Sequence, residues 1–168
     1  MGMAMANMLN LGEENMDILI INALLDSLMK IFNTMVGVMP VPGVPVPKND
    51  NISLGDVSGI MVMEAEKAKG SMAISFSKGA IAKVASKMLG DNVKQVDETA
   101  RDLTGEMTNM LVGGAKSILA ERGYMFDMSI PEIVSGKKHT IAHKYGGQTV
   151  VLPFTLGKDP FYLEINFQ

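Results

Sequence analysis

The run from Asp97 to Arg122 constrains the fold more than any other part of the sequence. At about 100° per residue, Leu103, Met107, Met110, Leu111, Gly114 and Ile118 fall in one arc. Asp102, Glu106, Asn109, Gly113, Lys116 and Ala120 fall in a second arc beside it. The spacing predicts a long helix that buries the first stripe and presents the second. Asp97 or a close neighbour caps it, Glu98 sits in the first turn where the helix dipole favours an anion, and Gly123 ends it. Gly113 and Gly114 each cost about 1 kcal/mol relative to alanine inside a helix, so both ask for a reason. On the apolar arc, Gly114 permits close packing against another element. On the polar arc, Gly113 permits close approach by a partner.

The remaining elements are read from their periodicity. Glu13 to about Val36 predicts another long helix, with Ile18, Ile21, Leu25, Leu28 and Phe32 on its apolar face and Gly37 as its stop. Its polar interruptions, Asn22, Asp26, Lys30 and Asn33, mark a buried amphipathic helix rather than a membrane span. Pro40, Pro42, Pro45 and Pro47 then force an extended segment. Gly55–Met63 and Ser71–Phe76 alternate as strands around a turn. Ser77 caps a short helix that Gly90 ends. The last third reads as β: His139–Tyr145 and Thr149–Phe154 around a Gly146-Gly147 turn, then a strand in which Phe161, Leu163, Ile165 and Phe167 share one face. The order predicts one α+β domain over residues 1–168, a two-layer sandwich with long helices on one face of a mostly antiparallel sheet.

Composition removes several chemistries. There is no cysteine, so thiolate nucleophiles, thiolate metal sites and disulfides are excluded. Fifteen Lys and Arg against eighteen Asp and Glu give a net charge of -3, which argues against nucleic-acid binding. His139 and His143 lie about 13 Å apart along the predicted strand, too far to chelate one ion, so no metal site is expected. Gly113–Ser117 superficially matches a phosphate-binding loop, but Ala115 stands where that motif requires glycine and no strand precedes it. Glu64 and Glu66 beside Lys67 read as solvated turn charges. No charged n-region or apolar h-region opens the chain, so a cytoplasmic protein without a membrane partner is expected. On spacing alone, Glu106 and Asn109 are neighbours on a helix face, as any solvated pair would be.

The residues around that pair carry a resemblance. Asp97-Glu98, Gly105-Glu106-Met107-Thr108-Asn109-Met110, Gly113 and Ala115-Lys116 together resemble the Glu-x-x-Asn helix of the CheX/CheC chemotaxis phosphatases. Ile21-Asn22-Ala23-Leu24 resembles the family's opening helix, Gly70–Phe76 its strand before the short helix, and Pro131–Gly136 its Pro-x-x-Val-Ser-Gly segment. The residue three before Asn22 is Leu19, so the first helix carries no second motif, and one motif per chain resembles the CheX type.

The resemblance implies a phosphatase acting on the aspartyl phosphate of a phosphorylated CheY-like receiver. It implies catalytic roles for Asn109, orienting the attacking water, and Glu106, pairing with the receiver's lysine. The receiver supplies Mg²⁺, and the phosphatase needs no cofactor of its own. A homodimer with two sites is implied as well. Asp102, Gly113 and Lys116 are expected to line the contact surface because they share the polar arc. Two other classes are compatible with the same residues: a module that binds a receiver or flagellar component without hydrolysis, and a structural dimerisation domain.

Overall fold

The computed structural model describes residues 16–167. Glu13, Glu14 and Asn15, assigned above to the first helix, and Gln168 lie outside the described residues. Helix α1 (Met16–Ile31) continues into a wider π turn over Phe32–Val36, which closes at Gly37 with φ +79° and its N–H donating to the Phe32 carbonyl. Strands β1 (Val41–Pro42), β2 (Val46–Lys48), β3 (Val57–Glu64) and β4 (Lys69–Phe76) follow. Then come helices α2 (Lys78–Leu89) and α3 (Glu98–Glu121), short strands β5 (Asp127–Met128) and β6 (Glu132–Ser135), and the long pair β7 (Thr149–Leu156) and β8 (Asp159–Phe167).

All pairings are antiparallel. The central path runs β7-β8-β4-β3, with β1 and β2 both on the free edge of β7 and β5 and β6 both on the free edge of β3. The alternation read from the sequence sets the faces. Met72, Ile74 and Phe76 of β4, with Leu163, Phe161 and Ile165 of β8 opposite them, point toward the helices. Phe161 lies at the centre of that layer, with ring centroids 5.2 Å from Phe32, 5.1 Å from Phe154 and 5.5 Å from Phe76. Met16–Val36 is apolar and long enough to cross a membrane, yet over half of its apolar window is buried in the domain. Both α2 caps take the expected form: Ser77 Oγ accepts from the Ala80 N–H at 3.2 Å, and Gly90 closes the helix at φ +71°.

The structure refines one sequence expectation and corrects two. Prolines hid β1 and β2, whose Pro42 and Pro47 sit on an edge where a missing N–H removes no central ladder bond. Gly146-Gly147 is not a hairpin turn; the β7–β8 turn is made by Gly157, at φ +65°. His139–Tyr145 is not a strand either. Apart from one bridge between Thr140 and Ile52, it is an irregular strap across the outer face of the sheet.

Polar side chains hold this strap down. His139 Nδ1 donates to the Gly136 carbonyl at 2.7 Å, and its Nε2 meets Ser58 Oγ at 2.6 Å. Ser58 in turn meets Ser75 Oγ at 2.6 Å. Ile141 wedges against Ile60 and Ala73. His143 Nδ1 meets Ser71 Oγ at 2.6 Å, and its Nε2 donates to Glu164 at 3.2 Å. The Glu164 carboxylate is 0% exposed and accepts from Lys48 Nζ through both oxygens at 3.1 Å. Each histidine therefore serves the strap separately, His139 at Ser58 and His143 at Ser71.

Candidate active site on helix α3

Helix α3 is clamped on two sides before it presents anything. Asp97 caps it as expected, Oδ1 accepting from the Ala100 N–H at 3.0 Å. Its buried face is broader than the apolar arc, because Thr104 and Thr108 are fully buried too. Their hydroxyls donate to the Ala100 and Thr104 carbonyls at 2.8 and 2.7 Å. Polar in a periodicity count, each threonine is thus satisfied within its own helix and free to face a sheet. The sheet accommodates Thr108 at Gly59 of β3, where a Cβ would lie 1.9 Å from Thr108 Oγ1.

On the opposite flank α3 meets α1 at Gly114, where a Cβ would lie 2.2 Å from Ser27 Oγ. That hydroxyl donates to the Leu111 carbonyl at 2.8 Å, so the close approach read from Gly114 is a hydrogen-bonded helix crossing. A Cβ at Gly113 would meet nothing within 4 Å, so that glycine opens onto free space.

What remains outward is a stripe of polar side chains beside β6. Glu98, Asp102, Glu106 and Asn109 are all exposed, and with Arg101, Gly105 and Ile133 they line a groove of about 400 Å³. Glu98, Asp102 and Glu106 follow at intervals of four, so their carboxylates share one ridge, and Asn109 follows Glu106 by one turn. Ile133 supplies the facing wall, its Cδ1 3.5 Å from where a Gly105 Cβ would stand. The Arg101 guanidinium is spent across the groove's end: Nη1 donates to Ser135 Oγ and Nη2 to the Ile133 carbonyl at 3.1 Å. An exposed amide beside an exposed carboxylate on a rigid helix can donate to or orient a small polar species and pair with a cation. Among the described residues no three His, Asp or Glu side chains converge on a common metal position.

Comparison with known proteins identifies the family of the chain. The family model for chemotaxis phosphatase CheX matches residues 57–155, a span that includes α3 and both groove walls. The CheY-P phosphatase CheX of Thermotoga maritima is 31% identical over 160 residues, 90% of this chain and 97% of that protein. The chain belongs to the CheX family. A CheC-like superfamily protein from Shewanella sp. PV-4 superposes with a TM-score of 0.83 at 45% identity, covering 92% of this chain and 99% of its own. The fold is also shared with the CheX–CheY–BeF3–Mg²⁺ complex of Borrelia burgdorferi, at TM-score 0.73, 22% identity, and 88% and 97% coverage.

Within this CheX-family chain the structure brings together three of the five residues singled out by sequence. Glu106, Asn109 and Asp102 line the groove. Gly113 and half-buried Lys116 lie farther along α3, outside its lining. Glu98, Arg101, Gly105 and Ile133 were missed as groove residues. For Ile133 the available signal was the Pro131–Gly136 run, which the resemblance picked out without assigning it a place.

Of the turn charges, Glu64 joins a second cluster at the far end of the strap. Glu64 accepts from the Tyr145 hydroxyl and from Lys144 Nζ, the latter at 2.9 Å, which corrects its reading as a simply solvated charge. The Tyr145 hydrogen bond, followed by that of Lys144, holds the Glu64 carboxyl below its ordinary range, while the same contact with Glu64 raises Tyr145 and Lys144.

Proposed function

We propose that this protein hydrolyses the aspartyl phosphate of a phosphorylated CheY-like receiver and so terminates a chemotaxis signal. The observation that carries this reading is the exposed Glu106–Asn109 pair, one turn apart on a helix pinned at Gly59 and Gly114, in a CheX-family chain. The pinning supports it because in-line attack depends on holding a water at a fixed distance and angle. The receiver inserts its phosphoaspartate against α3. It brings the Mg²⁺ and a lysine that neutralise charge on the phosphoryl oxygens.

The Asn109 amide hydrogen-bonds the attacking water and aims its lone pair at phosphorus. Oxygen of water bonds to phosphorus as the bond from phosphorus to the aspartyl oxygen breaks. The aspartate leaves as carboxylate, and the proton lost by water ends on inorganic phosphate. No general base is required of this chain, consistent with an amide in that position. Glu106 pairs with the receiver lysine and sets the docking angle, and Asp102 extends the acidic contact. The protein acts in the cytoplasm as a homodimer that presents two grooves.

The test is the lifetime of phosphate on a cognate receiver. Wild-type protein is expected to shorten it. Asn109→Ala should abolish the acceleration while retaining receiver binding, and Glu106→Ala should weaken docking. An unchanged lifetime with saturating wild-type protein refutes hydrolysis. Binding without any effect of Asn109→Ala on rate would leave a receiver-binding module.

A further inference from the structure

The Pro131–Gly136 segment has no part in the chemistry above, yet its side chains and backbone are tied to α3 at the groove. Arg101 Nη1 donates to Ser135 Oγ, and Nη2 to the Ile133 carbonyl at 3.1 Å. β6, the strand that receives both bonds, is a four-residue edge strand paired through Val57–Ile60 of β3. Such a short edge element has little of its own to fix its position. Ile133, between the two anchored points and the exposed stripe, forms the wall facing Gly105. The guanidinium is planar, permanently charged and forked, which suits it to hold two acceptors of one strand at once.

We propose that Arg101 is a positioning residue: through Ser135 and the Ile133 carbonyl it holds β6 at the distance from α3 that a receiver requires to seat against Glu106 and Asn109. This rests on the receiver reading above and adds a residue to it. The guanidinium stands two helical turns before Asn109 and acts on docking, not on the reacting atoms. Glu98, Asp102 and Glu106 line the same groove, while the Arg101 guanidinium donates to β6. Loss of the clamp therefore releases one wall of the groove without removing a group that touches phosphate. An interaction made equally before and during reaction alters affinity in preference to turnover.

The experiment titrates a cognate receiver, activated with beryllofluoride and Mg²⁺, into full-length wild-type protein, Arg101→Ala and Ser135→Ala. Turnover of the phosphorylated receiver is measured in parallel. Arg101→Ala is expected to raise Kd about ten-fold, because the free energy of a charged hydrogen bond that held β6 in place must then be supplied on docking. Ser135→Ala, which retains the guanidinium and its bond to Ile133, is expected to raise Kd about three-fold by the same reasoning, and it carries the test if Arg101→Ala does not fold. In both variants Kd must move more than kcat. Wild-type Kd in Ser135→Ala overturns the clamp and leaves Arg101 a direct receiver contact. A fall in kcat at unchanged Kd overturns it in favour of a catalytic contact. A wild-type protein that binds the receiver but does not hydrolyse it refutes the phosphatase reading alone, and one that binds no receiver refutes both.

Discussion

Replacing Gly59 by alanine should loosen the whole of helix α3 from its sheet. The new Cβ would stand 1.9 Å from Thr108 Oγ1, against the 3.4 Å at which ordinary contact begins, a shortfall of 1.5 Å. Neither partner can yield cheaply. Turning the threonine hydroxyl away breaks its bond to the Thr104 carbonyl and strands a buried donor, and sliding α3 disturbs the Ser27–Leu111 bond on its other flank. Overpacking of this kind costs about 1–3 kcal/mol. Alanine recovers about 0.5–1 kcal/mol of backbone entropy in a strand. The net expected loss is about 1–2 kcal/mol, read as a shift of urea midpoint at constant m-value.

Thr108→Ala provides the internal check. It removes Oγ1 and leaves the residue-108 Cβ at 3.0 Å from the new methyl group, tight but tolerable. On its own it is expected to cost about 1 kcal/mol for the lost buried hydrogen bond. In the double variant the total cost should fall short of the sum of the two single costs by at least about 0.5 kcal/mol, since Thr108→Ala removes the oxygen that the Gly59→Ala methyl group meets. Strict additivity, or a Gly59→Ala protein as stable as wild type, refutes the account of how α3 is seated.

Three further outcomes follow from other contacts. Gly114→Ala places a Cβ 2.2 Å from Ser27 Oγ, and chemical denaturation should register a loss of about 1–3 kcal/mol. Glu164→Gln leaves the buried Lys48 side chain with only the more distant, exposed Asp50 at 3.9 Å, and thermal unfolding should report a loss of about 3 kcal/mol. Tyr145→Phe should raise the Glu64 carboxyl titration, followed by carbon NMR, toward its ordinary range. Because the folded-state value is depressed, the stabilisation from this cluster is complete above the unfolded carboxylate range and is lost as pH falls through the folded value. A Glu64 titration unmoved by Tyr145→Phe would remove the tyrosine as its main cause.

Local rules made much of α3 legible. Asp97 as cap, Glu98 in the first turn and Gly114 as a close crossing each follow from a residue and its immediate neighbours. So does the adjacency of Glu106 and Asn109. What escaped was set by distant residues or by very short elements. Thr104 and Thr108 count as polar in any periodicity, and Gly59, far away in sequence, makes the place for Thr108. The strands β1, β2 and β5 have two or three residues, too few to show an alternating period. The groove needs β6 to return beside the start of α3, a long-range pairing without a local signature. His139 and His143 alternated acceptably for a strand, but Ser58, Ser71 and Glu164 offered their ring nitrogens better partners on the sheet face.

The proline-bearing edge has a consequence for how copies of this molecule meet one another. Val41, Val44 and Val46 stand exposed there, an oily margin on a sheet that would otherwise be a template for end-to-end growth into fibres. Pro40, Pro42, Pro45 and Pro47 strip amide hydrogens from the same stretch, so an approaching strand finds side chains to touch and too few donors to pair with. Crowding alone cannot turn that margin into a polymerising seam.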